Sequence, residues 1–338
     1  MKIHTNISLK KYNTFGIEAN ARFFCEVNSI DDLMAVFHLK EYPNKFIISG
    51  GSNMLITSNI DALVVYINLK GIDIISETED HVVLKVMAGE VWHDLVIWSL
   101  EQNYGGLENL SLIPGKTGTA PIQNIGAYGV ELKDSFVSCE AFNVKDRSIR
   151  EFSKTECEFG YRDSYFKNEG KGRFIIISVT LKLTRRNHRL DTSYGAIENE
   201  LQKMKIASPS IKDISDAVVT IRNSKLPDPK ILGNSGSFFK NPVLNEPAFE
   251  AFIKDHPQAK YYKLDKNSYK IPAGWLIEQC GFKGERFGDA GVHKNQALVL
   301  VNHGNATGSE LLDLAKTIIK SVKERFNIAI TPEVNIIK

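Results

Sequence analysis

The segment 233–242, with the sequence G-N-S-G-S-F-F-K-N-P, contains two serines, and the second, Ser237, lies between a glycine and two phenylalanines. Its glycines and its final proline disfavour a regular helix, and it lacks the strict alternation of a half-buried strand. The segment therefore offers a hydroxyl against an apolar wall with a lysine nearby, but no histidine that could act as a base. By itself it is also typical of a turn whose serine only bonds the backbone.

Two glycine-rich loops could hold an anion through backbone N–H groups. The first, 49–55 (S-G-G-S-N-M-L), follows an apolar run at 46–48, and its paired glycines let successive N–H groups converge. It lacks the G-x-G-x-x-G of a Rossmann crevice. The second, 113–129, contains G-K-T, but a P-loop needs a glycine five positions before Gly115, where Leu110 stands. As a pair, the loops favour a dinucleotide or other pyrophosphate ligand over a flexible surface; alone, neither decides it.

Other candidate groups have an ordinary structural explanation beside the functional one. Arg162, in Y-R-D-S, could form a surface ion pair, and Glu333, in P-E-V, could be solvated. Lys116 is expected to be a loop cation near phosphate, while Asp289 and His293 are expected to organise a turn. The four cysteines have no C-x-x-C spacing and are interpreted as small buried side chains. The eight histidines show no metal-binding spacing, so no metal site is expected.

The composition is that of a soluble globular protein. Hydrophobic residues make up 43% and charged residues 24% of the 338 positions, and the net charge is +2. This charge is too small to indicate nucleic acid or an anionic membrane as a partner. Because no apolar run approaches the ~20 residues of a spanning helix, a cytoplasmic location is expected. The length predicts two or three structural units.

The elements that must position these groups change along the chain. In residues 1–184 short strands dominate, interrupted by a helix after Ser29 and another over 91–103. The predicted strands are 46–48, 62–69, 82–87, 136–144 and 174–183. After a polar stretch, 185–210, expected to be an exposed connection, helical periodicity returns over 211–223, 246–255, a segment led by Pro272, and 309–326. A strand over 328–337 closes the chain. The fold class expected is α+β.

Six motifs, in this order, resemble the UDP-N-acetylenolpyruvoylglucosamine reductases, flavoenzymes of bacterial peptidoglycan precursor synthesis. The motifs are N-T-F-G-I (13–17), I-S-G-G-S-N-M-L-I (48–56), L-I-P-G-K-T-G-T-A-P-I-Q-N-I-G-A-Y-G (112–129), Y-R-D-S-Y-F-K (161–167), G-S-F-F-K-N-P (236–242) and P-E-V (332–334). The resemblance extends from about residue 10 to the C-terminus. Thr119 departs from it, since the family often has a smaller residue at that place. The Tyr194-Gly195 pair resembles the loop tyrosine of the family's longer subtype.

The resemblance implies a vanillyl-alcohol-oxidase/PCMH-type FAD-binding domain followed by a smaller α+β substrate-binding domain. The FAD-binding domain would comprise residues 1–190 as two α+β subdomains, with a connection over 191–221. The substrate-binding domain would span 222–325, and a C-terminal strand, 326–338, would return to the flavin site. FAD is expected to be bound non-covalently. The expected FAD contacts are Gly50, Gly51, Ser52, Asn53, Gly115, Gly118, Asn124 and Gly126.

The family's reaction is the NADPH-dependent reduction of UDP-N-acetylglucosamine enolpyruvate to UDP-N-acetylmuramate through FAD. Hydride reaches the enol carbon C3, negative charge builds at C2 and the carboxylate, and C2 then takes a proton. The resemblance makes Ser237 the proton donor, a role that needs no histidine base. It makes Arg162 the bidentate partner of the carboxylate and Glu333 a second polarising group. Contacts to the sugar and diphosphate are expected from Tyr194, Lys225, Asn241 and Gln296, and Phe238 and Phe239 are expected only to pack.

Three other interpretations are distinguishable. A flavin oxidase or dehydrogenase of the same superfamily would share only the first half of the chain. A sugar-nucleotide transferase would use the pyrophosphate loops without a yellow cofactor. A non-catalytic flavin-binding protein would not need Arg162, Ser237 and Glu333 together. The partners expected are the two small-molecule substrates, without an obligate protein partner; the oligomeric state is not readable from the sequence.

Overall fold

The computed structural model describes all 338 residues, Met1–Lys338, as a mixture of short strands, seven α-helices and short 3-10 turns. The strands are β1 (Ile3–Ser8), β2 (Asn20–Val27), β3 (Lys45–Ile48), β4 (Met54–Ile56), β5 (Ile60–Ile67), β6 (Ile72–Glu77), β7 (His81–Met87), β8 (Gly126–Ala127), β9 (Val130–Glu131), β10 (Phe136–Asn143), β11 (Ile149–Ser153), β12 (Phe174–Thr184), β13 (Val243–Asn245), β14 (Tyr262–Lys263), β15 (Ser268–Lys270), β16 (Arg286–Phe287), β17 (Ala290–Val292), β18 (Leu300–Asn302) and β19 (Asn335–Ile337). The helices are α1 (Ile30–His38), α2 (Trp92–Glu101), α3 (Gly195–Lys203), α4 (Ile211–Lys225), α5 (Glu246–Asp255), α6 (Ala273–Gln279) and α7 (Gly308–Phe326).

The chain divides into two compact units whose segments alternate along the sequence. The first unit comprises Met1–Asn6, Arg22–Gly50 and Asp61–Asn223; the second comprises Ile7–Ala21, Gly51–Ile60 and Ser224–Lys338. The domain boundaries expected near residues 190, 221 and 325 assume successive segments instead. Those boundaries remain a proposal for how the chain divides by function.

The first unit is built on a five-stranded antiparallel sheet in the order β11-β10-β12-β7-β6. Strand β12 is buried along most of its length because both faces of the sheet are covered. Val179 and Leu181 belong to the core formed with Trp92 and Leu95 of α2, whereas Ile177 belongs to the core that includes α1. A second sheet has the strand order β1-β2-β5-β3, and its strands β3 and β5 are parallel. The first glycine loop begins directly after β3.

The second unit contains small sheets that hold two segments with predicted site residues. Strands β16, β17 and β18 form an antiparallel meander, and the segment containing Ser237 bridges to Val299 just before β18. Strand β19 pairs in parallel with β4, which begins within the last residues of the first glycine loop. The helix α7 begins with a capping box between Thr307 and Glu310.

Two segments differ from the sequence expectations. The final strand spans only Asn335–Ile337, because Pro332 lacks the N–H that a continuous ladder needs. Residues 185–210 are not wholly an exposed connection, since they contain α3 with Ile197 and Leu201 buried in a cluster with α4. The other predicted helices form close to their expected bounds.

The burial of three cysteines agrees with their interpretation as small buried side chains. All four cysteines are free thiols; Cys25, Cys139 and Cys157 are buried and Cys280 is partly buried. Burial raises the pKa of Cys25 to about 11, which keeps this thiol protonated and inert near neutral pH.

None of the helices combines the length and apolar character needed to cross a bilayer. No cluster of three potential metal ligands is present in residues 1–338.

Candidate active site

The two glycine loops meet backbone to backbone in the first unit. A Cβ added to Gly50 would lie 2.9 Å from the Cα of Gly115, so only a glycine allows this approach. Gly115 itself has φ +117°, which a larger residue rarely adopts. Gly118 is equally constrained, because its Cβ would lie 2.4 Å from that of Ala88. Glycine is therefore required at these positions by chain packing, and the loops form one continuous backbone surface.

The first loop continues into the second unit at Gly51. This residue has φ +59°, and its Cβ would fall 1.9 Å from the carbonyl oxygen of Tyr12. Asn53 is tied to the chain end, since its carbonyl oxygen accepts hydrogen bonds from Asn335 N (3.1 Å) and Asn335 Nδ2 (2.9 Å). The C-terminal strand β19 thus returns to the Gly51–Asn53 part of the loop.

An unpaired hydroxyl lies at the base of the same loop. The Oγ atom of Ser49 is buried and has no hydrogen-bond partner. A buried hydroxyl without a partner costs about 1–3 kcal/mol, and a ligand oxygen would relieve that cost. The Ser49 hydroxyl and the closely packed glycines suit a phosphate-bearing group such as the FAD pyrophosphate.

Asn124 organises the second loop from within. Its Nδ2 atom donates to Glu131 Oε2 and to the Gly160 carbonyl, both at 3.0 Å, and its Oδ1 atom accepts from Lys133 N at 3.0 Å. Because the carboxamide is occupied inside the chain, any contact that Asn124 makes with a cofactor would come from its backbone.

Lys116 also points into the protein. Its Nζ atom donates to the Ile67 carbonyl and to Asn68 Oδ1, both at 3.1 Å, and lies 4.0 Å from the centre of the Tyr66 ring. Burial, with the positive charge of Lys70, lowers the pKa of Lys116 to about 8. The structure therefore assigns Lys116 to holding the second loop against β5, and the expectation that it lies near phosphate gains no support.

Arg162 sits in a strained turn that reaches back to the second loop. Its backbone has φ +55° within the turn closed by the Gly160–Asp163 bridge. One guanidinium nitrogen, Nη2, donates to the carbonyl of Gly126 at 2.7 Å. Leu112, Asn124 and Tyr128 of the second loop also have positive φ. Non-glycine residues in this conformation cluster at ligand-binding sites, where surrounding structure enforces the strain.

Tyr194 lies at the start of α3 and is 47% exposed. Its ring meets that of Tyr128 edge to face, with the centroids 5.4 Å apart. The predicted substrate tyrosine and the end of the second glycine loop therefore lie together in the first unit.

In the second unit, Ser237 and Glu333 are held by neighbouring backbone segments. Ser237 bridges to Val299, and the next residue, Phe238, donates its N–H to the Leu298 carbonyl at 2.7 Å. The carbonyl of Phe238 in turn accepts from Glu333 N at 2.8 Å. Phe238 and Phe239 are buried, which confirms that they pack, while the side chain of Ser237 is exposed.

Asn241 and Gln296 converge on the start of α6. The Oδ1 atom of Asn241 accepts from Ala273 N at 2.9 Å. A Cβ on Gly274, the next residue, would lie 3.1 Å from Gln296 Oε1. Lys225 is exposed at the end of α4. Asp289 organises its turn as expected, by accepting from His303 N and Asn305 N.

The sequence analysis did not propose a site role for three residues: Ser49, Tyr128 and Arg222. The available signal for Arg222 was its position, since it follows Ile211, Ile214 and Val218 on the apolar stripe of α4. An arginine at a position that the periodicity marks as buried is a candidate for function.

Two family models match the chain. The model of the UDP-N-acetylenolpyruvoylglucosamine reductase C-terminal domain matches residues 228–337, and that of the FAD binding domain matches residues 21–152. Proteins named UDP-N-acetylenolpyruvoylglucosamine reductase also match over their full length. The protein from Flavobacterium johnsoniae is 58% identical over 337 residues and covers 100% of both chains. That from Pseudomonas aeruginosa is 45% identical over 338 residues and covers 99% of both.

Among solved structures, the UDP-N-acetylenolpyruvylglucosamine reductase of Thermus caldophilus has a TM-score of 0.70 at 23% identity and covers 100% of both chains. At this identity the likeness supports the fold alone. With the FAD-binding match, it confirms the expected α+β class: a vanillyl-alcohol-oxidase/PCMH-type FAD-binding domain with an α+β substrate-binding domain.

Proposed function

We propose that this chain, which belongs to the UDP-N-acetylenolpyruvoylglucosamine reductase family and is an FAD-containing oxidoreductase, uses NADPH to reduce UDP-N-acetylglucosamine enolpyruvate to UDP-N-acetylmuramate. The product would serve peptidoglycan precursor synthesis in the cytoplasm. The geometric observation that supports this proposal is the bond from Glu333 N to the Phe238 carbonyl, which holds the C-terminal segment beside Ser237. A proton donor and a second polar group adjacent to it suit the protonation of a carbanion-like centre.

FAD supplies the hydride chemistry when it is bound, because no side chain can perform it. The chain would bind the pyrophosphate through the backbone of the two glycine loops. Ser49, Gly50 and Gly115 fit that role by their position at the contact of the loops, and Ser49 brings a hydroxyl that has no partner in the chain.

Ser237 would deliver the proton to C2 of the substrate. Backbone pairing to Val299 and the burial of Phe238 fix its Cα, while its side chain remains exposed and able to reach a ligand. Because the serine gives up one proton and takes one back from solvent, it needs placement rather than a strong base beside it.

Arg162 would hold the carboxylate of the enolpyruvyl group. A guanidinium presents five N–H donors in a planar fork, which suits bidentate binding of a carboxylate. The bond from Nη2 to the Gly126 carbonyl sets the plane of this fork. Charge that builds on the carboxylate during reduction would then be stabilised without reorganisation.

Glu333 would polarise the carboxylate from a second direction, best in its protonated form, in which it can donate a hydrogen bond. Tyr194, Lys225, Asn241 and Gln296 would contact the sugar and diphosphate. Asn241 Oδ1 already caps α6, so its Nδ2 is the group suited to a substrate oxygen.

The test is the visible spectrum of the purified protein under anaerobic conditions, first with NADPH and then with the enolpyruvyl substrate. The proposal predicts that the flavin bands bleach with NADPH and return with the enol ether. Return only with oxygen would contradict the substrate and favour another flavoenzyme of the superfamily. Bleaching by NADH alone would contradict the hydride donor.

A further inference from the structure

The side chain of Asn109 joins two segments of the first unit that are far apart in the sequence. Asn109 is only 2% exposed, and its Nδ2 atom donates to the Tyr128 carbonyl at 3.1 Å and to the Asp191 carbonyl at 2.9 Å. Tyr128 lies at the end of the second glycine loop, whereas Asp191 begins the short segment that leads to Tyr194. Because a carboxamide nitrogen carries two N–H donors, one side chain can serve both carbonyls.

The end of the glycine loop also packs closely against Asp191. Gly129 has φ +88°, and a Cβ added to it would lie 3.3 Å from Asp191 Oδ2. The other carboxylate oxygen, Oδ1, accepts from Ser193 N at 3.1 Å and from Ser193 Oγ at 2.7 Å. The Asp191 side chain thus shapes the turn that directly precedes Tyr194, while its carbonyl is held by Asn109.

Tyr194 is held from its other side by helix α3. Its carbonyl accepts from Ile197 N at 2.8 Å, and Ile197 and Leu201 are buried against α4. The Tyr194 ring meets the Tyr128 ring edge to face and remains 47% exposed. The backbone of Tyr194 therefore lies between two fixed points, the Asp191 carbonyl and α3, while its side chain stays accessible to a ligand.

The segment that contains Asn109 does not depend on these two bonds for its own position. The Leu110 carbonyl accepts from Trp92 Nε1 at 3.0 Å, and the Leu110 side chain is fully buried. The hydroxyl of Ser111 lies 2.7 Å from that of Ser215 in α4. Since neighbouring contacts already fix this segment, the bonds from Asn109 fix the two segments that it joins.

We propose that Asn109 is a positioning residue for substrate binding. By bonding the Tyr128 and Asp191 carbonyls, it holds the segment 191–194 against the second glycine loop and places Tyr194 for its contact with the sugar-diphosphate part of the substrate. Asn109 acts through Tyr194 and does not touch the substrate itself. The inference rests on the proposed function for the contact between Tyr194 and the substrate, but not for the link between the two segments.

The test uses the FAD-loaded enzyme with Asn109→Ala and Asn109→Asp, each made with Tyr194 intact and in a Tyr194→Ala background. Asn109→Ala removes both donors, and Asn109→Asp keeps the shape of the side chain but has no donor when ionised. Ser111→Ala is the matched control, because it removes a buried hydrogen bond from the same segment that involves neither Tyr128 nor Asp191. Thermal unfolding checks that each variant is folded.

The first measurement is the Kd of the enolpyruvyl substrate, obtained from its perturbation of the oxidised flavin spectrum. With Tyr194 intact, both Asn109 variants should raise the Kd about tenfold, while the rate of flavin reoxidation at saturating substrate stays near that of the wild type. In the Tyr194→Ala background the same variants should change the Kd less than about twofold, because no tyrosine is left to position. Ser111→Ala should lower the melting temperature and leave the Kd unchanged. An equal rise in both backgrounds, or no rise with Tyr194 intact, would overturn the inference.

The second measurement needs no substrate. Arg189 is exposed and lies two residues before Asp191, so the rate of trypsin cleavage after Arg189 reports how firmly this segment is held. In the native FAD-loaded enzyme, cleavage at this site, followed by mass spectrometry, should be about tenfold faster in both Asn109 variants than in the wild type. It should be unchanged in Ser111→Ala. Cleavage at the wild-type rate in both Asn109 variants would also overturn the inference.

The failure of this inference is distinguishable from failure of the proposed function. If the enolpyruvyl compound neither perturbs the flavin spectrum of the wild type nor reoxidises its reduced flavin, the proposed substrate is wrong. Trypsin cleavage after Arg189 then still decides whether Asn109 holds the segment 191–194. If the wild type performs the full reaction and Asn109→Ala binds the substrate as tightly as the wild type does, only the inference about Asn109 fails.

Discussion

In the second glycine loop the polar side chains are bonded within the chain, whereas in the segment 233–242 the side chain of Ser237 projects from a fixed backbone. Asn124 makes three internal hydrogen bonds, and Lys116 makes two. Around Ser237 the arrangement is reversed. The backbone is held by the Val299 bridge and the neighbouring Phe238 is buried, while the Ser237 side chain is exposed.

This difference corresponds to two ways of presenting chemistry to a ligand. A loop that binds phosphate uses N–H groups, so its side chains serve to hold the backbone in shape. A segment that transfers a proton uses a side chain, so its backbone must be fixed by other elements. Truncating the Ser237 side chain in the segment 233–242 should therefore abolish chemistry. Truncating a side chain of the second glycine loop should mainly affect cofactor binding or stability.

The largest effect is expected for Ser237→Ala. If the hydroxyl is the proton donor, the rate at which the enolpyruvyl substrate reoxidises the flavin falls by about 10²–10⁴, the usual contribution of a general acid. Reduction of the flavin by NADPH remains at the wild-type rate. Anaerobic stopped-flow absorbance measures the two half-reactions separately.

The neighbouring Ser235 provides the control for that experiment. Its hydroxyl lies 3.4 Å from Thr14 Oγ1 and donates to the Met54 carbonyl at 3.3 Å, so it is bonded within the second unit. Ser235→Ala should lower the melting temperature without slowing either half-reaction. A Ser237→Ala enzyme that is reoxidised by the substrate at the wild-type rate would rule out the proton-donor role.

Gly50→Ala tests whether the close backbone contact of the two glycine loops is needed for FAD binding. The added Cβ would lie 2.9 Å from the Cα of Gly115 and push the two loops apart. We expect a loss of about 1–3 kcal/mol in unfolding free energy, typical of overpacking, and at least a tenfold weaker affinity for FAD, about 1.4 kcal/mol. Flavin fluorescence on titration of the apoprotein measures the affinity.

Gly195→Ala is the matched control, because no atom lies within 4 Å of the added Cβ and the residue starts helix α3. Its FAD affinity should equal that of the wild type, with stability unchanged or raised by up to about 1 kcal/mol. Equal FAD affinity in Gly50→Ala and Gly195→Ala would show that the contact between the loops does not shape the cofactor site.

The sequence predicted best where local chemistry is decisive. The helix over Glu246–Asp255 was predicted with its observed bounds, and Ser29 caps α1 as expected, with its side chain accepting from Asp32 N. The glycine loops were recognisable because paired glycines imply close backbone approach. The contact of Gly50 with Gly115 was not, since it depends on how distant segments fold together.

Tertiary burial decided the elements that the sequence did not predict. Helix α3 has few apolar residues, and it forms because Ile197 and Leu201 are buried against α4. The roles proposed for Ser237 and Glu333 came from a family resemblance, and their proximity became visible only through the bond from Glu333 N to Phe238. Arg222 needed its full environment, because a single arginine on a helix gives little signal without its neighbours.

The pH dependence of folding stability, compared between the wild type and Lys116→Met, tests whether Lys116 is a structural cation or binds the ligand. The pKa of Lys116, lowered by burial from 10.5 to about 8, means that the folded state binds fewer protons than the unfolded state between these two values. Folding stability of the wild type therefore rises with pH across that window, by about 1–3 kcal/mol relative to Lys116→Met. Below about pH 8 the lysine is protonated in both states and the full cost of burying the charge is present.

Urea unfolding of both proteins at about pH 7.5 and about pH 10 measures that difference, since the other titrating groups are common to the two proteins. FAD affinity should be weakened only modestly in Lys116→Met, because the amine bonds Ile67 and Asn68 of the chain. A large loss of FAD affinity, with no difference in the pH dependence of stability, would instead place the amine on the cofactor.

The smallest effect is expected for Thr307→Ala, which tests whether α7 contributes to the chemistry or only to the scaffold of the second unit. Thr307 Oγ1 accepts from Glu310 N at 3.2 Å and Glu310 Oε2 accepts from Thr307 N at 2.7 Å. Losing this capping box should cost about 0.5–2 kcal/mol of unfolding free energy, whereas Thr317→Ala, in the middle of the same helix, should be neutral or slightly stabilising. Both variants should retain wild-type half-reactions, because Ser237 is positioned by strand pairing. A slower substrate half-reaction in Thr307→Ala alone would mean that the start of α7, which packs against the Ile56 carbonyl at Gly308, also positions the proton donor.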